Sequence, residues 1–281
     1  MAPTVTIIAQ GAMGAGIARR LHDNGIRVLT SLAGRSRESA ARAAAAGMVD
    51  AGDDAIAATD LILSVVPPAD AVALAERLAP ALAAAARKPV YVDCNAISPR
   101  TVPQVAAIVS AAGCGFVDAG IIGQPPADGY GGPVIYASGP EAPRLAVLGD
   151  HGLDIRVLEG PLHAASALKM SYAGITKGMT AIATAMILAA QEAGSADALR
   201  AELEASFPPL PWARRQVNGM FDKAYRWVGE MEEIADFVNA NEASKSIYLG
   251  IASLFQQIAD DAAGQRKAAA ALSAFFQPGR G

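Results

Sequence analysis

The spacing of apolar residues along this chain changes character near residue 160. Before it, short apolar runs alternate with segments whose apolar residues recur every three or four positions. After it, only the second spacing remains. Runs of strand length lie at 4–9, 27–32, 60–66, 89–94, 116–122, 133–138 and 154–158. Helical spacing falls between them: at Ile17 and Leu21 ahead of the stop Asn24-Gly25, from Arg37, over 69–86 with an interruption near Pro80, from the Ser98-Pro99 start, and briefly from Pro140. Strands and helices in turn predict an α/β fold, a Rossmann-type doubly wound sheet. The remainder is predicted to be all-α, with helices over 163–193, 196–206, 211–237 and 243–260 and a final alanine-rich piece. Two domains are expected, 1–160 and 161–281, joined by the long helix of about 163–193.

That helix is the main feature of the second half. Gly160-Pro161 precedes it and Gly194 follows it, the usual start and stop signals. At 1.5 Å per residue it would be roughly 45 Å long. Its only charges are Lys169, Lys177 and Glu192, so burial is expected along most of its length, and a lysine near its start calls for a function. The uncharged part, 178–191, is too short for a bilayer, so no membrane span is expected. One small domain cannot cover so long an apolar helix, which predicts a homodimer built on it.

Composition narrows the partners. The chain has 281 residues with a net charge of −4, which gives no electrostatic footprint for nucleic acid or an anionic membrane. A small-molecule substrate is the remaining expectation. Cys94 and Cys114 are too few for a disulfide framework or a metal cluster, and are expected to be buried thiols; no metal is predicted. The first residues lack a basic stretch and a long apolar run, so no signal peptide is read and the cytoplasm is expected.

Chemistry enters at the end of the first strand. Gln10-Gly11-Ala12-Met13-Gly14 follows a β-branched run and precedes a helix, the order of a dinucleotide-binding βαβ unit. Gly11 would let a pyrophosphate approach the backbone, with amides near Ala12 and Met13 binding its charge. A tight strand-to-helix turn is the plain alternative, and Ala9 replaces the first glycine of the pattern. The second strand ends without the carboxylate that would read an adenosine ribose; Arg35, Ser36 and Arg37 stand there instead. Guanidinium donors suit a 2′-phosphate, so NADP is expected, with NAD possible; the alternative is that Ser36 caps a helix and the arginines are solvated. Strand C-termini line the ligand crevice of such sheets, placing Val66, Pro67 and Asn95 beside the cofactor. Asn95 reads equally well as a turn residue.

Taken together these motifs resemble the β-hydroxyacid dehydrogenases, relatives of 6-phosphogluconate dehydrogenase. Residues 9–14 are similar to the family's G-x-G-x-M-G, 93–99 to D-x-S-T-I-S-P, 117–123 to the D-A-P-V-S-G-G substrate loop, and Lys169 to the lysine of K-L-x-N-N. The segment 223–234 is similar to an uncharacterised helical domain joined to such NAD-binding domains. The resemblance implies a dehydrogenase using Lys169 as general acid/base, with substrate contacts from Ile122, Gly123 and Gln124, and it too implies a dimer. Tyr172, three residues past Lys169, shares its helix face and is a second catalytic candidate; a core aromatic is its plain alternative.

Departures from the family bear on the substrate. Ile122-Gly123-Gln124 replaces Ser-Gly-Gly, and Tyr172 and Ala173 replace two asparagines. Losing those polar partners favours a bulkier or less polar substrate. The loop is also similar to that of imine reductases, although these usually replace the lysine. The leading expectation is an NADP-dependent oxidoreductase acting on a carbonyl or hydroxyl group. Imine reduction and a non-catalytic NADPH sensor or scaffold are the alternatives. Trp212, Phe221, Tyr225 and Trp227 are expected in the helical core.

Overall fold

The computed structural model describes residues 2–127 and 129–277, which divide into two compact units after Met170. Helix α6 (Ala164–Glu192) runs through the division.

Among the described residues the first unit holds eight strands: β1 (Val5–Ile8), β2 (Val28–Thr30), β3 (Met48–Asp50), β4 (Leu61–Ser64), β5 (Val90–Asp93), β6 (Gly115–Ile122), β7 (Val134–Ser138) and β8 (Asp154–Val157). They form one sheet in the order β3-β2-β1-β4-β5-β6-β7-β8. All neighbours are parallel except β6 and β7. The chain moves outward from β1 in one direction and returns through β4 in the other, so the order reverses between β1 and β4, the switch point at which such sheets bind ligands. Strands β1, β4 and β5 are buried throughout, as parallel strands covered on both faces must be. Alternate residues feed two cores. Val5, Ile7, Leu61, Leu63, Val90, Val92 and Val117 pack under α1 (Ala12–Asp23) and α2 (Arg37–Ala45). Ile8, Ile62, Tyr91 and Phe116 pack under α3 (Asp53–Ala57), α4 (Ala71–Ala84) and α5 (Val102–Ala111).

The second unit is helical, with the rest of α6 followed by α7 (Ala196–Ser206), α8 (Leu210–Asn218), α9 (Ala224–Phe237), α10 (Glu242–Ala263) and α11 (Lys267–Phe275). Buried Phe255 meets the Trp227 ring edge-on at 5.1 Å.

Several expectations change. The segment 211–237 is two helices, because Asn218-Gly219 ends α8 and the chain turns before α9. Helix α4 continues through Pro80; Leu78 and Leu82, both fully buried, hold the turns on either side. Tyr225 is 64% exposed and lies outside the core. Strand β3 and helix α3 are too short to carry a readable period. Helix α6 contains an 18-residue window of mean hydropathy 1.4, so length and composition alone would let it cross a membrane, contrary to the expectation. One such helix is weak grounds for a span, since core helices of soluble proteins pass the same test.

Candidate active site

The glycine loop lies at the switch point. Gly11 precedes α1 with an ordinary φ of −68°, and a Cβ placed on it would meet nothing within 4 Å. The space before the loop is open. Among the described residues no side chain caps α1, and the amides of Ala12, Met13 and Gly14 have no intrahelical acceptor and favour an anion. Gly14 is buried, and a Cβ on it would run into the backbone carbonyl of Ala9; this is the close helix–strand approach that the glycine permits. Behind the loop, Gln10 Nε2 donates to Ser31 O at 2.9 Å and to Thr30 Oγ1, tying β1 to β2. Arg42 Nε donates to Gln10 O at 3.0 Å. The open approach at Gly11 and the uncapped helix fit the diphosphate of a dinucleotide.

At the end of β2, Ser36 is the N-cap of α2, its Oγ accepting from Ser39 N at 3.2 Å. Arg35 and Arg37 are exposed. A carboxylate does stand beside this turn, contributed by β3: Asp50 Oδ1 accepts from Leu32 N at 2.8 Å. Sequence reading missed it because it lies eighteen residues beyond the turn it serves.

Asn95 is buried, and both ends of its side chain are engaged. Oδ1 accepts from Val66 N at 2.7 Å and Nδ2 donates to Ser64 Oγ at 2.8 Å. It thereby fixes the backbone after β4, where Val66 is buried and Pro67 exposed.

Beyond β6, Ile122 is half-buried and Gly123 and Gln124 are exposed. Gly123 has φ +133°, a conformation that side-chain-bearing residues resist. The loop then folds against α1. Pro126 lies where a Cβ on Gly16 would be 3.0 Å from its ring, and Arg20 donates to Tyr130 O and Gly131 O at 3.0 and 2.9 Å. Asp128 of this loop lies outside the described residues.

Lys169 is half-buried on the second turn of α6. Its stem rests on β6: a Cβ on Gly120 would sit 3.1 Å from Lys169 Cβ and 2.7 Å from Ala165 O. The lysine thus stands two residues before Ile122 along β6, on the carboxyl-edge side of the sheet. Tyr172 follows on the same helix, 51% exposed, and so is no core aromatic. In the helical unit, Lys177 pairs with Glu230 and lies 5.4 Å from the Trp227 ring centroid.

One feature of the site left almost no trace in the sequence. Ser64, Asp93, Asp118 and Ser138 are register partners across β4, β5, β6 and β7, and all four are buried. Burial pushes the Asp93 carboxyl up to about 7, against the hydrogen bond it accepts from Asn95 N and with a smaller push from Asp118. Burial also raises Asp118, opposed by its hydrogen bonds from Ser166. The available signal was an acid closing or interrupting an otherwise apolar strand.

Comparison with known proteins agrees with this geometry. Residues 4–146 match the family model described as the NAD binding domain of 6-phosphogluconate dehydrogenase, and residues 190–258 match a domain of unknown function, DUF1932. A conserved protein of unknown function, described as structurally similar to 3-hydroxyacid dehydrogenases, is 27% identical with a TM-score of 0.71, covering 96% of this chain and 99% of that one. The 3-hydroxyisobutyrate dehydrogenase of Mycobacterium tuberculosis, solved with L-serine, has a TM-score of 0.73 at 20% identity, covering 99% and 100%. An imine reductase variant from Myxococcus stipitatus, solved with NAD+, has a TM-score of 0.55 at 18% identity, covering 99% and 100%.

Proposed function

The chain belongs to the family of the NAD binding domain of 6-phosphogluconate dehydrogenase, and from that premise we propose that it is an NADP-dependent oxidoreductase reducing a carbonyl group or oxidising the corresponding alcohol. The observation that carries this reading is the seat of Lys169, pressed onto β6 at Gly120 and two residues before the loop at Ile122. The uncapped start of α1 opens on the same carboxyl edge of the sheet.

The residues divide the work. Gly11, Ala12, Met13 and Gly14 would hold the diphosphate of the cofactor, with Val66, Pro67 and Asn95 bordering it on the β4 and β5 side. The bound nicotinamide would supply or accept the hydride. Lys169 gives a proton to the substrate oxygen as negative charge develops there, and in the reverse direction removes it. Tyr172 is the second donor proposed on that helix. Ile122, Gly123 and Gln124 border the substrate. They offer less to a carboxylate than a serine loop would, which favours a substrate of low polarity.

The cofactor preference is read from Arg35 and Ser36 at the end of β2. Arg35→Ala should weaken NADPH about tenfold while leaving NADH nearly unchanged, measured by nucleotide fluorescence titration. Equal losses would assign the turn to Asp50 and favour NAD.

A second reading, imine reduction, is favoured by the missing serine at Ile122 and by the fold shared with an imine reductase. One assay separates the readings: NADPH absorbance followed with 3-oxo acids, aldehydes and cyclic imines. Oxidation with the carbonyl compounds supports the proposal, and oxidation with imines alone supports the second reading. Tight NADPH binding without any turnover would make the protein a cofactor sensor.

We also propose a homodimer built on α6. Ile175, Met179, Ile182 and Met186 are all exposed, and their spacing of three and four residues makes one apolar stripe of the kind that pairs with a second copy of itself. The two buried thiols, Cys94 and Cys114, accord with a reducing compartment such as the cytoplasm.

A further inference from the structure

Two early amides of helix α6 are received by strand side chains. Ser166 N donates to Asp118 Oδ2 at 2.8 Å, and Ser166 Oγ donates to Asp118 Oδ1 at 2.5 Å. Ala165 N donates to Ser138 Oγ at 2.9 Å. Ser138, the register partner of Asp118, donates in turn to Leu162 O at 2.8 Å and lies 3.3 Å from Asp118 Oδ2. Asp118, Ser138 and Ser166 are all buried.

A carboxylate at a helix N-terminus is favoured by the helix dipole, and these charge-assisted bonds are short and directional. A cap borne on a strand does more than an ordinary one, because it fixes where the helix starts relative to the sheet. Two residues along β6 on the same face, Gly120 provides a second contact. It leaves room for Ala165 O and Lys169 Cβ, which a side chain at that position would displace. Asp118 therefore holds the axial position of α6 and Gly120 its height above the sheet. Lys169 is one turn past the held residues Ala165 and Ser166.

We propose that Asp118, Ser138 and Ser166, with Gly120, are positioning residues that set the placement of Lys169 over the carboxyl end of β6. The assignment rests on the reading of Lys169 as the acid/base. It accounts for an aspartate and two serines within an apolar layer, which hydrophobic packing alone would not select.

The test is made on the full chain without substrate. Amide hydrogen exchange over residues 163–170 and acetylation of Lys169 by acetic anhydride, read by peptide mass spectrometry, are compared in wild type, Asp118→Asn, Ser166→Ala and Gly120→Ala. A control, Val109→Ala in the buried face of α5, supplies a loss of thermal stability away from α6. The seat predicts exchange over 163–170 faster by about tenfold and Lys169 acetylation faster by about threefold in the first three variants, with neither change in the control. NADPH affinity should stay near wild type in Ser166→Ala, since the α1 amides are untouched. Exchange and acetylation matching the control would overturn the seat. Full turnover by Lys169→Ala would instead overturn the acid/base reading, and with it the catalytic purpose of the seat, whatever the labelling shows.

Discussion

Gly11 separates a binding loop from a mere turn. Its backbone conformation is open to any residue, and a Cβ there projects into free space. Gly11→Ala should therefore change stability by no more than about 0.5 kcal/mol yet weaken NADPH about tenfold or more, by thermal unfolding and fluorescence titration on the same sample. A loss of stability with unchanged affinity would return the loop to a structural role. Asp93 makes a prediction of different sign from most carboxylates. Its folded pKa of about 7 lies above its ordinary 3.8, so the folded state binds the extra proton between those values. Stability from this group is complete below about pH 4 and is lost as pH rises through 7. Asp118, also raised, acts in the same direction, while Tyr91 and Cys94, both raised by burial, stay neutral across this range. Denaturant unfolding from pH 4.5 to 8 should show the decline in wild type and a flatter profile in Asp93→Asn. An equal slope in both would remove Asp93 as its source.

At the scale of elements, α6 has one prediction of its own. Ile175 and Ile182 are each 63% exposed in the apolar stripe. Ile175→Glu with Ile182→Glu should convert a dimer of twice 28.6 kDa into monomer, by light scattering after size exclusion. A wild-type monomer would refute the pairing. Elements with a strong local period were legible in the sequence. The strands that lead to Gly11, Val66 and Asn95, and the unbroken run of α6, each announced themselves by an apolar run or by proline and glycine punctuation. Strand β3 and helix α3 did not, since three and five residues carry no period. Contacts between distant segments were hidden for another reason. Asp50 serves a turn eighteen residues earlier, and Asp118 caps a helix 48 residues later; local spacing holds no record of either. Lys169 was singled out through its resemblance to a family motif, while the bonds from Asp118 and Ser138 to the start of its helix left no such signal.

Across the whole molecule, the first unit matches an NAD-binding family and the second matches a domain of unknown function. The sheet order reverses between β1 and β4, the uncapped α1 opens there, and Lys169 is set on β6 along the same edge. We propose that this lysine moves the proton. The most direct measurement is the steady-state rate of NADPH oxidation by Lys169→Ala and wild type, using whichever carbonyl or imine compound of the panel wild type reduces. A proton-moving Lys169 predicts a fall in kcat of about 10²-fold or more with NADPH affinity retained. Turnover by Lys169→Ala within about twofold of wild type, well short of that general acid–base contribution, would contradict it.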